Sequence, residues 1–299
     1  MITGIVLTLA TTVAFACANI VDARLSAFLK PLPALLFYAG TVNLALLAAV
    51  LALYGMPQVL PPDLFGCVAV FGILNSLYLV PYYWALRTTD TSVVVALFPL
   101  GGILVPVLAF FVLGETLTAT QISGFALVIS ASIALNLKIG KQFRMNVGFW
   151  LMLLSSAMTS TAMVFYKKVL SGADMASAMF WGYVFTLVFS TGTILFPPFF
   201  KKIKEYAPVV RQQWRVFAAV AAFSLSAALL KAAALAALPV VYYRALSATQ
   251  SSFVLIISLI SAKFFGREMH EVMTGRVVLK KIVCFSLIVT GICLTLRAP

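Results

Sequence analysis

Leu64-Phe-Gly-Cys-Val-Ala-Val-Phe-Gly-Ile-Leu-Asn-Ser-Leu-Tyr-Leu-Val-Pro-Tyr-Tyr-Trp-Ala-Leu86 runs from Asp63 to Arg87 without a charged residue. A hydrocarbon layer about 30 Å thick takes roughly 20 apolar residues in a helix, so this stretch is long enough to cross a bilayer. Runs like it recur along the whole chain. Of the 299 residues, 63% are hydrophobic and 10% charged, and the mean hydropathy is +1.09. A soluble domain carries about 25% charged residues. So much apolar surface exceeds what one soluble core hides, and lipid is the solvent for most of it. The roughly ten-residue stretches of alternating polarity that mark a membrane β-barrel are absent.

The runs predict an all-α integral membrane protein of ten transmembrane helices. The first five fall near residues 2–22, 34–54, 64–86, 91–113 and 119–137, and the second five near 147–167, 176–197, 215–237, 241–264 and 281–297. This divides the chain into two five-helix halves, residues 1–145 and 146–299. An odd number of helices per half turns the halves opposite ways, which is the inverted repeat on which many secondary transporters are built. Internal matches support the repeat. Gly4-Ile-Val-Leu opens the first helix and Gly148-Phe-Trp-Leu the sixth, the corner Gly114-Glu115 has a counterpart in Gly266-Arg267-Glu268, and Ala85-Leu86 has one in Ala237-Leu238. The offset is 152 for the Ala-Leu pair, 153 for the two glutamates and about 160 in the last helix, where Ala131 falls opposite Gly291. That growth implies an insertion in the 266–281 loop.

The first apolar run begins at Ile2 with no basic region before it and no small-residue cleavage site after it, and is expected to be a retained helix. The longest polar stretches are Lys201–Arg215 and Gly266–Lys281, the second reading as a basic amphipathic loop or helix. Cys17, Cys67, Cys284 and Cys293 lie inside apolar runs without metal-ligand spacing. They read as small buried side chains, and neither a metal nor a cofactor is expected.

Four segments then follow one another: Tyr83-Trp84-Ala85-Leu86-Arg87-Thr88-Thr89-Asp90-Thr91-Ser92, Leu97-Phe98-Pro99-Leu100, Leu113-Gly114-Glu115-Thr116-Leu117 and Gln121-Ile122-Ser123-Gly124. This succession resembles the drug/metabolite transporter superfamily in its EamA-like branch, with an aromatic-x-x-Ala-Leu helix end, a proline-bearing fourth helix, a Gly-Glu corner and a Gln-x-x-Gly helix start. The second half departs from the pattern. Ser252 and Leu259 stand opposite Pro99 and Pro106, the corner is Gly-Arg-Glu, and no Gln-x-x-Gly follows. The resemblance implies a ten-helix carrier with a central cavity and alternating access, and it implies no particular substrate.

Polar residues inside a span are costly, and they mark either a solute path or helix packing. Thr8, Thr11, Phe15, Asn19 and Asp22 are spaced by three and four on the first helix and share a face. Asn75, Tyr78 and Tyr82 do so on the third, with Pro81 expected to loosen the helix beside them. Tyr183, Thr186, Ser190 and Thr193 do so on the seventh, while Tyr243, Ser247, Gln250 and Ser251 come from the ninth. Lys231, about two turns from the end of the eighth helix, and Arg244, in the first turn of the ninth, approach the same end of one hairpin. Facing inward they hold a carboxylate or phosphate; facing lipid they snorkel to the interface. The candidate solute-binding residues are therefore Asn19, Asn75, Tyr78, Tyr82, Tyr183, Lys231, Tyr243, Arg244 and Gln250. All 8 acids are read at helix ends or in loops, as is the 1 histidine, His270. Asp22 remains the best proton site, against the plainer reading of a helix-end charge. The pattern favours facilitated diffusion or exchange over proton coupling.

An enzyme would need a nucleophile with its base, paired carboxylates or metal ligands within the spans, and none is read. The expected function is secondary transport of small organic metabolites, amino acids or related solutes, with export left open as the direction. The alternative is an organic-anion or phosphorylated-metabolite exchanger that uses Lys231 and Arg244; a non-transporting receptor or assembly subunit is more distant. The partners expected are a small-molecule solute and the lipid bilayer in a bacterial cytoplasmic membrane. A monomer is expected and a dimer left open. The net charge of +13 is assigned to connections that set orientation, not to nucleic acid.

The odd-numbered connections hold every Lys and Arg except Lys167, Lys168, Lys231, Arg244 and Arg297. Basic loops face the cytoplasm, so the count puts both termini outside, whereas members of the resembled family generally hold both inside. The charge count predicts that a cysteine added at the N-terminus reacts with a membrane-impermeant maleimide in intact cells. Labelling only after lysis means that the family's orientation holds instead.

Overall fold

Proline, glycine and side-chain caps decide where these apolar runs begin and end as helices. The computed structural model describes residues 1–88, 94, 97–136, 147–250, 252–254, 256–257 and 275–296. Its helices are α1 (Ile2–Phe28), α2 (Leu32–Tyr54), α3 (Pro62–Leu77), α4 (Leu79–Thr88), α5 (Leu104–Leu113), α6 (Ala119–Asn136), α7 (Val147–Gly172), α8 (Met175–Thr191), α9 (Pro197–Gln212), α10 (Trp214–Ala237), α11 (Val240–Ser247) and α12 (Gly275–Thr295), and no strand occurs among the described residues. Proline stands in the first turn of α2, α3 and α9, where its missing N–H has no helical partner to lose. Gly114 ends α5 at φ 69°, a left-handed conformation open to glycine without a Cβ penalty. Asp174 caps α8 by accepting from the Ser177 N–H at 2.9 Å. Thr118 and Gln121 cap α6 reciprocally, the Thr118 N–H donating to Gln121 Oε1 at 3.0 Å and the Gln121 N–H to Thr118 Oγ1 at 3.3 Å, a capping box.

Six segments are long and apolar enough to span a bilayer: Ile2–Ser26, Leu32–Tyr54, Pro62–Thr88, Val147–Gly172, Met175–Leu195 and Trp214–Ala237. Phe98–Leu113, Ala119–Ala134 and Ile282–Thr295 are shorter apolar helices. The chain is thus an all-helical, multi-pass membrane protein. Several boundaries differ from those expected. α1 runs on to Phe28, so Asp22 lies within the helix and not at its end. The polar stretch Lys201–Arg215 is largely the amphipathic helix α9. Within the fourth apolar run, Phe98–Ile103 is a 3-10 turn ahead of α5. A turn at Tyr78 separates α3 from α4, three residues before Pro81, whose ring carries no N–H to bond back to Leu77. The Gly266-Arg267-Glu268 corner, His270 and Ser251 lie outside the described residues.

α1 packs on α10, α2 on α8, α3 on α7 and α8, and α6 on α12. Small residues set these approaches, as expected where lipid leaves van der Waals contact as the main attraction. Ser76 Oγ meets Ser190 Oγ at 2.9 Å between α3 and α8. Where α6 crosses α12, a Cβ on Gly124 would lie 2.7 Å from the Gly291 carbonyl, and one on Gly291 would lie 2.8 Å from the Gly124 carbonyl.

Hydrogen bonds between connections sort them into two ends. At one end Arg87 donates to the Leu29 carbonyl at 2.6 Å and Tyr38 Oη to the Ile203 carbonyl of α9 at 3.1 Å. At the other, the Gln58 N–H donates to Ser177 Oγ at 2.8 Å, Lys167 Nζ to the Leu235 carbonyl at 2.5 Å and the Val240 N–H to Glu115 Oε1 at 3.1 Å. Glu115 thereby puts a carboxylate at the N-terminus of α11, where the helix dipole favours it.

Gly124→Leu is expected to lower the thermal midpoint of the purified protein in detergent, since overpacking costs about 1–3 kcal/mol. Gly66→Leu, at a site where a Cβ meets open space, is expected to leave it unchanged.

Candidate solute-binding cavity

A cavity of about 200 Å³ opens inside the bundle, smaller than the roughly 300–1,000 Å³ of sites for drug-sized ligands. Asn19 of α1, Asn75 of α3, Tyr78 at the α3–α4 turn and Tyr183 of α8 line it. So do Lys231 of α10, Tyr243 and Arg244 of α11, and Gln250 just beyond. Tyr82 is the candidate that stands off the wall. It is 2% exposed, with ring centroids 5.2 Å from Tyr83 and 5.5 Å from Phe98, and so it backs two residues that do face the space. Tyr83 lines the cavity instead, continuing by fours from Asn75 through Leu79, both also on the wall.

Asp22, Asn43, Tyr83, Phe98 and Thr159 also line the cavity and were not candidates. The signal for Asp22 was readable. Leu25 and Leu29, both fully buried, continue the helical spacing past it.

The break at Phe98–Ile103 frees backbone groups within the apolar layer, where each unsatisfied group costs several kcal/mol. Ser156 Oγ of α7 donates to the Phe98 carbonyl, and Arg244 Nη2 donates to the same carbonyl at 2.8 Å. The Gly101 N–H in turn donates to Ser156 Oγ at 2.7 Å. A Cβ on Gly102 would lie 3.0 Å from Arg244 Nε, so the glycine leaves room for the guanidinium along the turn. Arg244 does not snorkel to lipid. It is tied by one nitrogen to the backbone of the opposite half, and its buried Nε has no partner.

Lys231 sits with its ammonium 5.7 Å from the Phe71 ring centroid and 5.9 Å from that of Tyr166, two rings stacked at 4.3 Å. Ring faces attract a cation that has lost its water. Lys231 and Arg244 are close enough for their charges to repel. No carboxylate among the described residues comes within ion-pair distance of either. Asp22 also lies on the wall, as do Tyr78 and Tyr83. Asn75 Nδ2 donates to Thr186 Oγ1 at 3.3 Å, and the amide nitrogen of Asn19 is buried without a partner among the described residues. The cavity wall therefore carries two cations with no ion-pair partner among the described residues, together with a carboxylate, phenols and amides.

Residues 2–137 match the EamA-like transporter family. The resemblance to the drug/metabolite transporter superfamily is thus shown on the half that carries its motifs. The family is one of membrane transporters of small solutes, and its members are not enzymes. Such a transporter contacts lipid and small solutes. Within this EamA-like half each motif has a local task. Pro99 opens the turn that Arg244 crosses, Gly114 and Glu115 shape the corner that caps α11, Gln121 closes the capping box and donates to Tyr242 Oη at 2.7 Å, and Gly124 admits α12. No curated protein matches the sequence. A crystal structure, titled only as that of a protein, superposes with a TM-score of 0.64 over 97% of this chain and 97% of its own at 13% identity, a likeness of fold alone.

Ser156→Ala is expected to destabilise the protein by about 1–3 kcal/mol, the cost of leaving the Gly101 N–H unpaired. Ser171→Ala, which removes an exposed bond of 2.9 Å within α7, is expected to have no effect. Thermal unfolding of both variants in one detergent makes the comparison.

Proposed function

We propose that the chain is a secondary carrier that moves a small organic solute bearing an anionic group, by alternating access through the central cavity. One observation carries this reading: Lys231 and Arg244 share the cavity wall with no carboxylate in ion-pair distance among the described residues. Two charges left unneutralised in a medium of low dielectric are costly, and an arriving carboxylate or phosphate relieves that cost. The guanidinium suits a bidentate oxyanion, and the ammonium adds a point charge.

The ten-helix inverted repeat, with its halves meeting between residues 145 and 146, is part of the same proposal. The packing supports it. Exchanging the halves turns the α1–α10 contact into α7 with α3 and α4, and the α1–α11 contact into α7 with α5, while α2–α8 and α6–α12 map onto themselves. Gly124 meets Gly291 at one point of the α6–α12 crossing, and Ala131 clusters with Cys284 at another. The pairs 124/284 and 131/291 have the same offset of 160, so exchange converts one contact into the other. Two halves of opposite orientation that rock about a shared site give alternating access.

Asp22 on the same wall favours a second reading, an amino acid or related solute whose amino group meets that carboxylate and the faces of Tyr78 and Tyr83. Uptake by the purified protein in liposomes, with phosphorylated metabolites, carboxylates, amino acids and nucleosides offered in turn, tests both. Lys231→Ala is expected to slow an anionic solute about tenfold or more, the worth of one charge-assisted hydrogen bond, and a neutral solute much less. Equal loss for both means that Lys231 serves packing. Asp22→Asn is expected to impair an amino acid and spare its desamino analogue on the second reading, and to spare both on the first. No transport of any class overturns the carrier.

A further inference from the structure

The segment Pro197-Pro-Phe-Phe-Lys-Lys-Ile-Lys-Glu-Tyr-Ala-Pro-Val-Val-Arg-Gln212 forms α9, which joins the end of one apolar segment, α8, to the start of another, α10. It lies where the chain leaves the apolar layer and re-enters it. Helical spacing gathers Ile203, Tyr206 and Val210 on one face. That face is already taken by the bundle. Ile203 is 4% exposed and its carbonyl accepts from Tyr38 Oη, while Tyr206 and Val210 pack against the same buried cluster as Phe217.

The opposite face carries Lys201, Lys204 and Arg211, all exposed, and Arg215 follows at the start of α10. Lys202 at the flank is paired with Glu205 at 3.0 Å, which is the one acid between Pro197 and Arg215. The other four cations form no ion pair among the described residues. Exposed aromatic rings accompany them: Phe196 at 59% and Trp214 at 60% bracket α9, with the Lys204 ammonium 4.5 Å from the Phe200 ring and the Arg215 guanidinium 5.7 Å from that of Trp214. A ring at the acyl boundary with a cation just above it is how side chains bridge lipid tails and phosphates. Basic in-plane helices at this depth attract anionic lipid.

We propose that α9 lies in the headgroup layer and that Lys201, Lys204, Arg211 and Arg215 bind anionic phospholipid. The surface is separate from the solute cavity and does not depend on the transport reading.

Trp214 reports on it directly. The full chain, with Trp84, Trp150 and Trp181 changed to Phe, is reconstituted in phosphatidylcholine containing a minority of phosphatidylglycerol, and either lipid is supplied brominated at the same mole fraction. Brominated phosphatidylglycerol is expected to quench Trp214 about twofold more than brominated phosphatidylcholine, because basic clusters enrich anionic lipid around them. The excess is expected to fall as salt is raised, and to vanish in Lys201→Gln/Lys204→Gln/Arg211→Gln/Arg215→Gln. Equal quenching by the two lipids, or quenching by neither, overturns the proposal. If the fourfold variant fails to fold, the salt titration on the parent decides: an excess that salt does not reduce also overturns it.

Discussion

A backbone carbonyl inside a hydrocarbon layer has no water to accept from, and in this chain the carbonyl of Phe98 is where that constraint presses hardest. Pro99 has no N–H and opens the fourth apolar segment into a 3-10 turn. The groups so freed are taken up from outside the segment, by Ser156 of α7 and by Arg244 of α11. Both donors come from the second half of the chain. The repair therefore does two things at once. It closes the backbone account that lipid demands, and it holds a guanidinium beside the cavity, where free side-chain entropy would otherwise let it swing toward the interface.

The same bond explains how the two halves divide their work. The first half supplies the family motifs, and in the structure these are devices of shape: a turn, a corner, a cap and a crossing. The second half supplies both intramembrane cations, Lys231 and Arg244. On the proposed function, the charges in the wall bear on what is carried and the backbone-shaping motifs do not. The match over residues 2–137 accordingly rests on the motif-bearing part of the chain and is silent about the solute.

The spans were legible because bilayer thickness sets the length of an apolar run, and because Pro62, Gly114 and Asp174 punctuate those runs. α9 was less so. Its periodicity sits inside a stretch whose mean polarity reads as a connection, and only the spacing of Ile203, Tyr206 and Val210 betrays a helix. Spacing by three and four brought Asn19, Asn75 and Tyr183 to one space, since such neighbours share a face in any regular helix. At Tyr82 spacing alone could not choose: from Asn75, Leu79 and Tyr83 continue by fours as readily as Tyr78 and Tyr82 continue by three and four, and Tyr83, not Tyr82, is the one on the wall. Asp22 was read at a helix end because the apolar run was stopped there, although Leu25 and Leu29 carry the helical spacing on past it and α1 runs to Phe28. For Lys231 and Arg244 the direction about the helix axis depends on neighbours distant in sequence, Phe71, Tyr166 and Phe98, so no local pattern could choose between lipid and cavity.

What distinguishes the cationic part of the wall is less the presence of Lys231 and Arg244 than the company they keep. A cation already paired with a buried carboxylate must give up that pair before it can hold a solute, and the cost of separation is subtracted from binding. Here the ammonium is held by two ring faces and the guanidinium by a carbonyl, partners that soften the charge without neutralising it. An anion can add to this arrangement without displacing anything. The compensation also keeps the empty cavity tolerable, and a carrier that works by alternating access must pass through states without its solute. Tight pairing would favour the empty state too much and bare charges too little; ring faces and a backbone carbonyl lie between those limits.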